Sequence, residues 1–589
     1  MYFGTLVYIL NRQNMMKRIY NIIIAAGIGM ALVSCSFFNV KPQVIPADTY
    51  YKTTADVFNG MTGVYGVMSN EPFYGNYYSL MCSNVDDLCR FNRPTTPNYT
   101  NIYKHDAGTM EIYAAWTEIY KGIRNANFFL AHVPQTGLDA EGRYTNEVKF
   151  LRAYYYFLLG QAWGNVPLRT VPTESYEDVE CAASSQYAVL EWAAEQMEEC
   201  VEFYNNLYQE HPKYELEDLN AAPSRVCLNT VHGILARVYL FMAGESVTIE
   251  NAMMSDAIFY EKAMNHAKAV IESGFHNLNP DYSQVFKNMM SDKYDRTWRE
   301  SMWEVEFMGD RSSADKWTNG RIGELLGLQS SGAKDFESFK CNFAYGQYNG
   351  TQKLWNLYWT DDRVAAEKSD KNKITDPRQE WNMPPYNYAG LSTSVKIKDK
   401  NGVEKDTVIV KFKASIDTCY YFTTRGAAPN IDTVYAKTEP SVVQDRRNCG
   451  KFRREVEYEG VLDAKRLYTC INFPLLRYSD VLLMYVEAAL QSKGSFEWKY
   501  LLEVREREKD RKVNTDQSKY VTKEAFLQLI KNERARELCF EATRKYDLIR
   551  WGEFEEAMAD LGVMPKHVLL PIPSIELGVN RKLKQNPGW

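Results

Sequence analysis

The chain has 589 residues, of which 45% are apolar, 24% charged and 14% aromatic. This composition excludes a disordered chain, and a polytopic membrane protein is excluded because the only long apolar run lies at the N-terminus. With 69 basic residues, 75 acidic residues and no basic tract, the charge indicates no nucleic-acid partner.

The N-terminal segment predicts a bacterial lipoprotein signal. Basic residues in Met15–Arg18 precede the apolar run Ile22–Val33, and Cys35 follows a Leu-Val-Ser tripeptide. The thiol of Cys35 would take a diacylglycerol, and a peptidase would remove residues 1–34, of which 1–14 are an upstream extension. Several acyl chains hold a protein firmly on a bilayer, so Cys35 is the predicted lipid anchor. The alternative, a transmembrane helix, is disfavoured because the run is short for a span.

Apolar residues at helical spacing predict a helical region over residues 35–307. The predicted helices are Ala115–His132, Glu147–Ala162, Tyr187–Leu207, Asn229–Ala243 and Phe259–Ser273. The second of these is apolar nearly all round, which predicts a fully buried helix. The recurring Ala and aromatic positions are typical of tetratricopeptide-like helix pairs, which bury their faces only against neighbouring pairs and so form a curved scaffold.

The middle of the chain, residues 308–465, is rich in Gly, Ser, Asn and aromatic residues and shows little periodicity. Apolar and polar residues alternate over 394–413, on both sides of Asn401–Gly402. Asn-Gly between alternating runs is a strong hairpin signal. We therefore expect a loop-rich segment that contains a small β-hairpin element.

The last segment, residues 466–589, returns to helical periodicity over Tyr478–Ser492 and Lys523–Trp551. Its charged residues recur three or four positions apart, and we interpret them as a structural ion-pair lattice rather than a catalytic cluster. These residues are Glu533, Arg534, Glu537, Glu541, Arg544, Asp547 and Arg550. The proline-punctuated tail is predicted to be extended.

Aromatic side chains in loops are the strongest functional signal, because flat rings stack on the C–H faces of sugars while polar neighbours bind the hydroxyls. Two segments combine such rings with loop composition, Pro72–Tyr103 and Trp317–Trp359. The candidate ligand-binding residues are Tyr74, Tyr77, Tyr78, Asp86, Arg90, Asn98, Tyr99, Tyr103, Trp317, Asn319, Tyr345, Tyr348, Trp355 and Trp359.

No catalytic or metal motif competes with this interpretation. The zinc-protease, nucleophile-elbow and P-loop patterns are absent, and the 11 cysteines include no C-x-x-C pair. The acidic pairs Asp86–Asp87 and Asp361–Asp362 are typical of turns. We predict no cofactor; a structural Ca²⁺ stays open, as does the disulfide state, for which Cys82 and Cys89 are the closest pair in sequence.

The most specific motifs lie near the C-terminus. Leu476–Ala488 reads LRYSDVLLMYVEA, Asn532–Arg544 reads NERARELCFEATR, and Asp547–Gly552 reads DLIRWG. Further matches are Trp116–Asn127, Glu147–Leu168, Leu235–Leu240, Glu300–Phe307, Leu570–Pro573 and Gln585–Trp589. In this order they resemble the SusD/RagB-like nutrient-binding lipoproteins of the Bacteroidota outer membrane. Ala542 departs from the family pattern, which has Gly there.

The resemblance implies a mainly α fold with four tetratricopeptide-like helix pairs and an irregular ligand-binding side. It implies a non-catalytic lipoprotein, anchored in the outer membrane at the cell surface, that binds an oligosaccharide and passes it to a SusC-like TonB-dependent transporter. Two alternatives stay open: a peptide-binding member of the same family, and an exported glycoside hydrolase, since a chain with 75 acidic residues offers many carboxylate pairs.

Overall fold

The computed structural model describes residues 50–91, 100, 103–173, 175, 179–211, 222–307, 320–330, 342–358, 376–384, 391–398, 404–411, 420–424, 432–434, 447–455, 457, 468–508 and 515–589. The chain divides into two compact units, Met1–Asp56 and Val57–Trp589. Within the first unit, the Asp56 carboxylate accepts hydrogen bonds from the backbone N–H of Lys52 and from Thr53.

The helices confirm the predicted helical segments, with ends that differ by a few residues. They are α1 Thr54–Tyr65, α2 Met110–His132, α3 Arg143–Trp163, α4 Gln186–Glu210, α5 Leu228–Met242, α6 Asp256–Ser273, α7 Tyr282–Met290, α8 Ile322–Leu325, α9 Gln352–Leu357, α10 Pro377–Asn382, α11 Tyr478–Lys493, α12 Trp498–Arg505, α13 Lys523–Leu538, α14 Arg544–Arg550, α15 Phe554–Ala557 and α16 Ser574–Val579. In the described part of the chain, no helix is both long enough and apolar enough to span a bilayer.

The strands form small antiparallel sheets. They are β1 Cys89–Phe91, β2 Val166–Pro167, β3 Ala183–Ser184, β4 Ser301–Val305, β5 Tyr348–Gly350, β6 Leu391–Lys398, β7 Glu404–Lys411, β8 Tyr420–Thr424, β9 Asp432–Val434, β10 Arg447–Asn448 and β11 Phe473–Arg477. Strands β6 and β7 pair antiparallel, which confirms the predicted hairpin, and β8 and β9 extend it to four strands. Asn401–Gly402 lies outside the described residues.

A row of helices forms the scaffold. Helices α2 to α6 pack against one another in chain order, and the C-terminal helix α11 packs beside α6 and is followed by α12 and α13. Helix α3 is buried from Asn146 to Trp163 except at Lys149, which agrees with its nearly all-apolar sequence. N-cap residues fix where two of the helices begin. Ser185 accepts a hydrogen bond from the Ala188 N–H at the start of α4, and Thr522 accepts one from the Ala525 N–H at the start of α13.

A buried ion-pair lattice joins the scaffold to the C-terminal helices. Strand β11 pairs with β4, and its last residue, Arg477, donates to Glu300, Glu537 and Glu541 at 2.8–2.9 Å with no exposed side-chain surface. A second group is built around Asp480, which accepts from two arginines at 2.7 Å. The charged residues listed from the last segment all take part in such pairs, which confirms their structural role.

The prediction of a single helix over Lys523–Trp551 is wrong, because the helix ends at Leu538 and a second helix, α14, begins at Arg544. Phe540 and Ala542 adopt left-handed backbone conformations, with φ of 67° and 57°. No glycine or proline marks this break in the sequence. It is imposed by packing: the reversal directs Arg544 toward Asp87 in a distant loop, at 2.9 Å.

Candidate ligand-binding face

The structure brings the two aromatic loop segments of the sequence together. Strand β1 pairs antiparallel with β5, with Cys89 opposite Gly350 and Phe91 opposite Tyr348. The Arg321 N–H donates to the Gly75 carbonyl at 2.9 Å, which adds a second connection between the segments. We call the region formed by Glu71–Phe91, Gly320–Ser330, Asn342–Tyr358 and Arg447–Glu455 the ligand face, after the ligand-binding role that the sequence predicts for its loops.

A third strand that sequence reasoning missed completes this sheet. Strand β10 pairs with the other edge of β5, where Asn448 lies opposite Asn349. The Asn448 amide donates to the Gly346 carbonyl at 3.0 Å and to the Asn349 side chain at 3.2 Å, while its oxygen accepts from the Gln329 N–H. Gly346 has φ of 55° and no room for a Cβ, because Asn448 would lie 2.8 Å away. The close approach of Asn448 to Gly346 was not visible as a sequence pattern.

Several predicted ligand residues are buried and form the support of the face. Tyr74 and Tyr78 are 4% and 3% exposed and line a cavity of about 60 Å³ beside α3 and α14. Tyr103 donates to the Val85 carbonyl at 2.6 Å. Tyr348 is buried in β5, and Phe91 packs edge-on against its ring at 5.4 Å.

Asp86 is also buried, at 1% exposure, and acts within a turn. Its Oδ1 accepts from the Leu88 N–H at 2.8 Å and the Cys89 N–H at 3.0 Å, which directs the chain into β1 and confirms the turn interpretation. Burial and the neighbouring carboxylate of Asp87 raise the pKa of Asp86. Cys82 and Cys89 are both free thiols rather than a disulfide.

Three predicted residues keep part of their surface exposed: Tyr77, Arg90 and Tyr345. Burial and the nearby Glu71 and Glu111 carboxylates raise the pKa of the Tyr77 hydroxyl. Arg90 pairs with Asp560 at 2.9 Å. These side chains combine ring faces with charged hydrogen-bonding groups.

The surroundings of Tyr77 and Tyr345 are charged. Arg321 pairs with Glu71 at 3.1 Å and with Glu324 at 2.8 Å. The carbonyl of Glu324 accepts from the Tyr345 N–H at 2.8 Å, so one short helix, α8, positions groups next to both rings. An arginine held between two carboxylates keeps its geometry while part of its surface stays open to solvent.

Cation–ring stacks flank the sheet. The Arg447 guanidinium lies 4.2 Å from the ring centre of Trp355, a predicted residue that is 9% exposed. Arg453 lies 3.8 Å from the ring centre of Trp381, and Lys287 lies 5.3 Å from the same ring. Trp381 was not among the predicted ligand-binding residues, although it is a tryptophan in a polar stretch, which is the signal by which the other tryptophans were selected.

The remaining candidates lie outside the described residues: Cys35, Asn98, Tyr99, Trp317, Asn319 and Trp359. Among the described residues, no three His, Cys, Asp or Glu side chains come close enough to hold a metal ion. The arrangement therefore defines the class of protein. It has a helical scaffold whose loops present aromatic rings, side-chain amides and ion pairs.

Comparisons with known proteins agree with this class. Residues 299–562 match the family described as the SusD family, and residues 37–240 match the one described as starch-binding and associating with the outer membrane. The chain belongs to the SusD/RagB-like family. SusD-like protein P25 of Formosa agariphila is 23% identical, covering 97% of this chain and 98% of its own length.

Solved structures share the fold. A SusD homolog from Bacteroides thetaiotaomicron VPI-5482 has a TM-score of 0.71 and 20% identity, over 92% of this chain and 98% of that one. A laminarin-binding SusD-like protein has a TM-score of 0.62 and 21% identity, over 92% of this chain and 100% of that one. These similarities confirm the mainly α SusD-like fold expected from the sequence.

Proposed function

We propose that this protein is a surface-exposed outer-membrane lipoprotein that binds an oligosaccharide and delivers it to a SusC-like TonB-dependent transporter without cleaving it. Family membership supports glycan binding, and one solved structure of the same fold is named as laminarin-binding. The observation that carries the proposal is the pairing of β1 with β5, which joins two aromatic loop segments in one face.

Within this proposal the predicted residues divide into two groups. Tyr77, Arg90 and Tyr345 retain exposed surface and would contact the ligand, together with the candidates of the same loops that lie outside the described residues. The buried group would hold the sheet in place rather than meet the sugar: Tyr74, Tyr78, Asp86, Tyr103, Tyr348 and Trp355. Rings of the first group supply stacking area, and the charged groups beside them bind hydroxyls.

The carboxylates of the ligand face favour binding over hydrolysis. Glycoside hydrolysis requires two carboxyl groups that face each other across the bound sugar, one of them free to donate a proton. Asp86 is committed to a turn, Asp87 pairs with Arg544, and Glu71 and Glu324 both pair with Arg321. Each of these described carboxylates already has a structural partner.

Membrane attachment is proposed from the sequence around Cys35. The Leu-Val-Ser-Cys tetrapeptide after a short apolar run supports cleavage and acylation at this thiol. Labelled palmitate should be incorporated into the native protein and lost in Cys35→Ser. Equal incorporation in both would contradict lipid attachment at this residue.

Glycan capture can be tested with the full-length lipoprotein solubilised in detergent. The protein would be run through native gels containing laminarin, starch or other polysaccharides, and the same mixtures would be assayed for new reducing ends. We expect retardation by one polysaccharide without product. New reducing ends would overturn the non-catalytic proposal, and an absence of retardation by every polysaccharide would overturn glycan binding and favour a peptide ligand.

A further inference from the structure

Within the ligand face, Asp87 joins three parts of the chain: its own loop, α14 and the start of α9. Its carboxylate accepts from Arg544 Nε and Nη2, both at 2.9 Å, and pairs with Lys353 Nζ at 2.7 Å. Its backbone carbonyl accepts from Thr351 Oγ1 at 2.8 Å, and the next carbonyl, of Leu88, accepts from the Thr351 N–H at 3.0 Å. Asp87 therefore contacts α14, the first turn of α9 and Thr351, which connects β5 to α9.

The two charged partners of Asp87 differ in their exposure to solvent. Asp87 and Arg544 are buried, whereas half of the Lys353 side chain is exposed. Burial opposes ionisation of Asp87, but hydrogen bonds and charge from Arg544, with a further contribution from Lys353, outweigh it and lower the pKa of this carboxyl. The ionised carboxylate is thus the form that the site holds.

The sheet of the ligand face has little hydrogen bonding of its own. Strands β1 and β5 have three residues each, and β10 has two. Strands this short are marginal unless other contacts fix them. Thr351 is also the N-cap of α9, since its Oγ1 accepts from the Leu354 N–H at 3.2 Å, so the Asp87 contacts position both β5 and the helix that carries Trp355.

We propose that Asp87 is a positioning residue for the ligand face: held by Arg544 of the C-terminal scaffold, it sets the spacing of β1 and β5 through Lys353 and Thr351. This inference rests on the proposed glycan-binding function. It differs from the sequence prediction that Asp86 meets the ligand directly, because Asp87 acts only through the strands.

The test compares Lys353→Met with a matched control, Lys493→Met. Lys493 also pairs with a carboxylate, Glu261, and its side chain is 49% exposed, against 50% for Lys353. Amide hydrogen exchange would be measured on the full-length protein without ligand, in peptides that cover residues 88–91 and 348–351. Dissociation constants for the retarding polysaccharide would be measured in parallel.

We expect Lys353→Met to speed exchange in these two peptides about threefold to fivefold, with the unfolding midpoint nearly unchanged, because one half-exposed pair is lost. Lys353→Arg should restore the native rate. Asp87→Asn should increase exchange about tenfold or more, because the buried Arg544 also loses its charged partner. Lys493→Met should leave both peptides unchanged.

Two results would overturn the proposal. Native exchange in Lys353→Met and in a folded Asp87→Asn would show that these contacts do not position the strands. Weaker glycan binding in Lys353→Met without faster exchange would show that Lys353 simply touches the ligand. Exchange is measured without ligand. Failure of the wild type to bind any polysaccharide would therefore overturn the proposed function, while the exchange rates would still test whether Asp87 positions the strands.

Discussion

The Arg477 cluster of the scaffold and the Arg90 pair of the ligand face hold their charges in different ways. In the scaffold, Arg477 and its carboxylate partners have essentially no exposed side-chain surface. On the ligand face, Arg90 pairs with Asp560, whose side chain is 64% exposed. Breaking a buried pair leaves an uncompensated charge, whereas an exposed pair exchanges its partner for water. The Arg477 cluster therefore contributes to the stability of the fold, whereas Asp560 stays accessible to water.

The largest expected effect would come from the scaffold lattice. Arg477→Met removes the common partner of Glu300, Glu537 and Glu541 and should lower the free energy of unfolding by about 3–5 kcal/mol. Urea denaturation of the full-length protein would measure this. Lys268→Met, which breaks an exposed pair with Glu272, should change it by less than about 0.5 kcal/mol. Equal effects of the two variants would contradict the distinction between buried and exposed pairs.

Acid should weaken the scaffold through His276. Burial lowers the pKa of this histidine from 6.5 to about 4, so the unfolded chain takes up a proton first as the pH falls. Stability contributed by the neutral ring is therefore present at pH 7 and is lost from about pH 6.5 to pH 4, by about 3 kcal/mol.

His276→Asn isolates this contribution to stability. His276 Nδ1 donates to the Arg299 carbonyl at 2.8 Å, and the asparagine amide can replace that donor but does not titrate. The difference in unfolding free energy between wild type and variant should shift by about 3 kcal/mol between pH 7 and pH 4. Parallel pH profiles would show that His276 is not the responsible group.

On the ligand face, Tyr77→Ala should affect binding more than folding. Loss of a partly exposed ring that stacks on a sugar should weaken glycan affinity about tenfold. Tyr485→Ala on α11 removes another partly exposed ring, from the scaffold, and serves as the control in the same titration. If both variants bind as the wild type does, Tyr77 is not a ligand contact.

The smallest effect concerns the break between α13 and α14. Ala542 has φ of 57°, a conformation that glycine adopts without a Cβ penalty, so Ala542→Gly should stabilise the protein by about 0.5–1 kcal/mol. Ala114→Gly in the second turn of α2 should instead destabilise it by about 1 kcal/mol. Destabilisation by both glycines would show that Ala542 packing outweighs its backbone strain.

Much of the scaffold could be predicted because its helices are long and strongly periodic. The apolar run in α3 and the repeated charges after Lys523 required no knowledge of tertiary contacts. The break at Phe540 was not predictable, because no turn residue marks it and the reversal depends on a distant partner, Asp87.

The segments that form the ligand face could be predicted from their composition, but the exposure of their individual side chains could not. Aromatic loops selected the two segments that meet at β1 and β5. Within one segment, however, Tyr74 is 4% exposed while Tyr77, three residues later, keeps part of its ring open. These residues lie in two consecutive irregular helical segments, Glu71–Gly75 and Tyr77–Cys82. In such segments, side-chain burial does not follow the regular spacing of an α-helix.

The sequence by itself determined the helical scaffold, the ionic role of its C-terminal residues and the family, because these depend on local periodicity and on motifs that are contiguous in the chain. Only the tertiary structure decided which rings support the face and which remain exposed, and that Asp87 meets Arg544 across 457 positions of sequence. The physical reason is that side-chain burial in irregular segments is set by partners distant in the chain, whereas helix formation is set largely by residues three or four positions away.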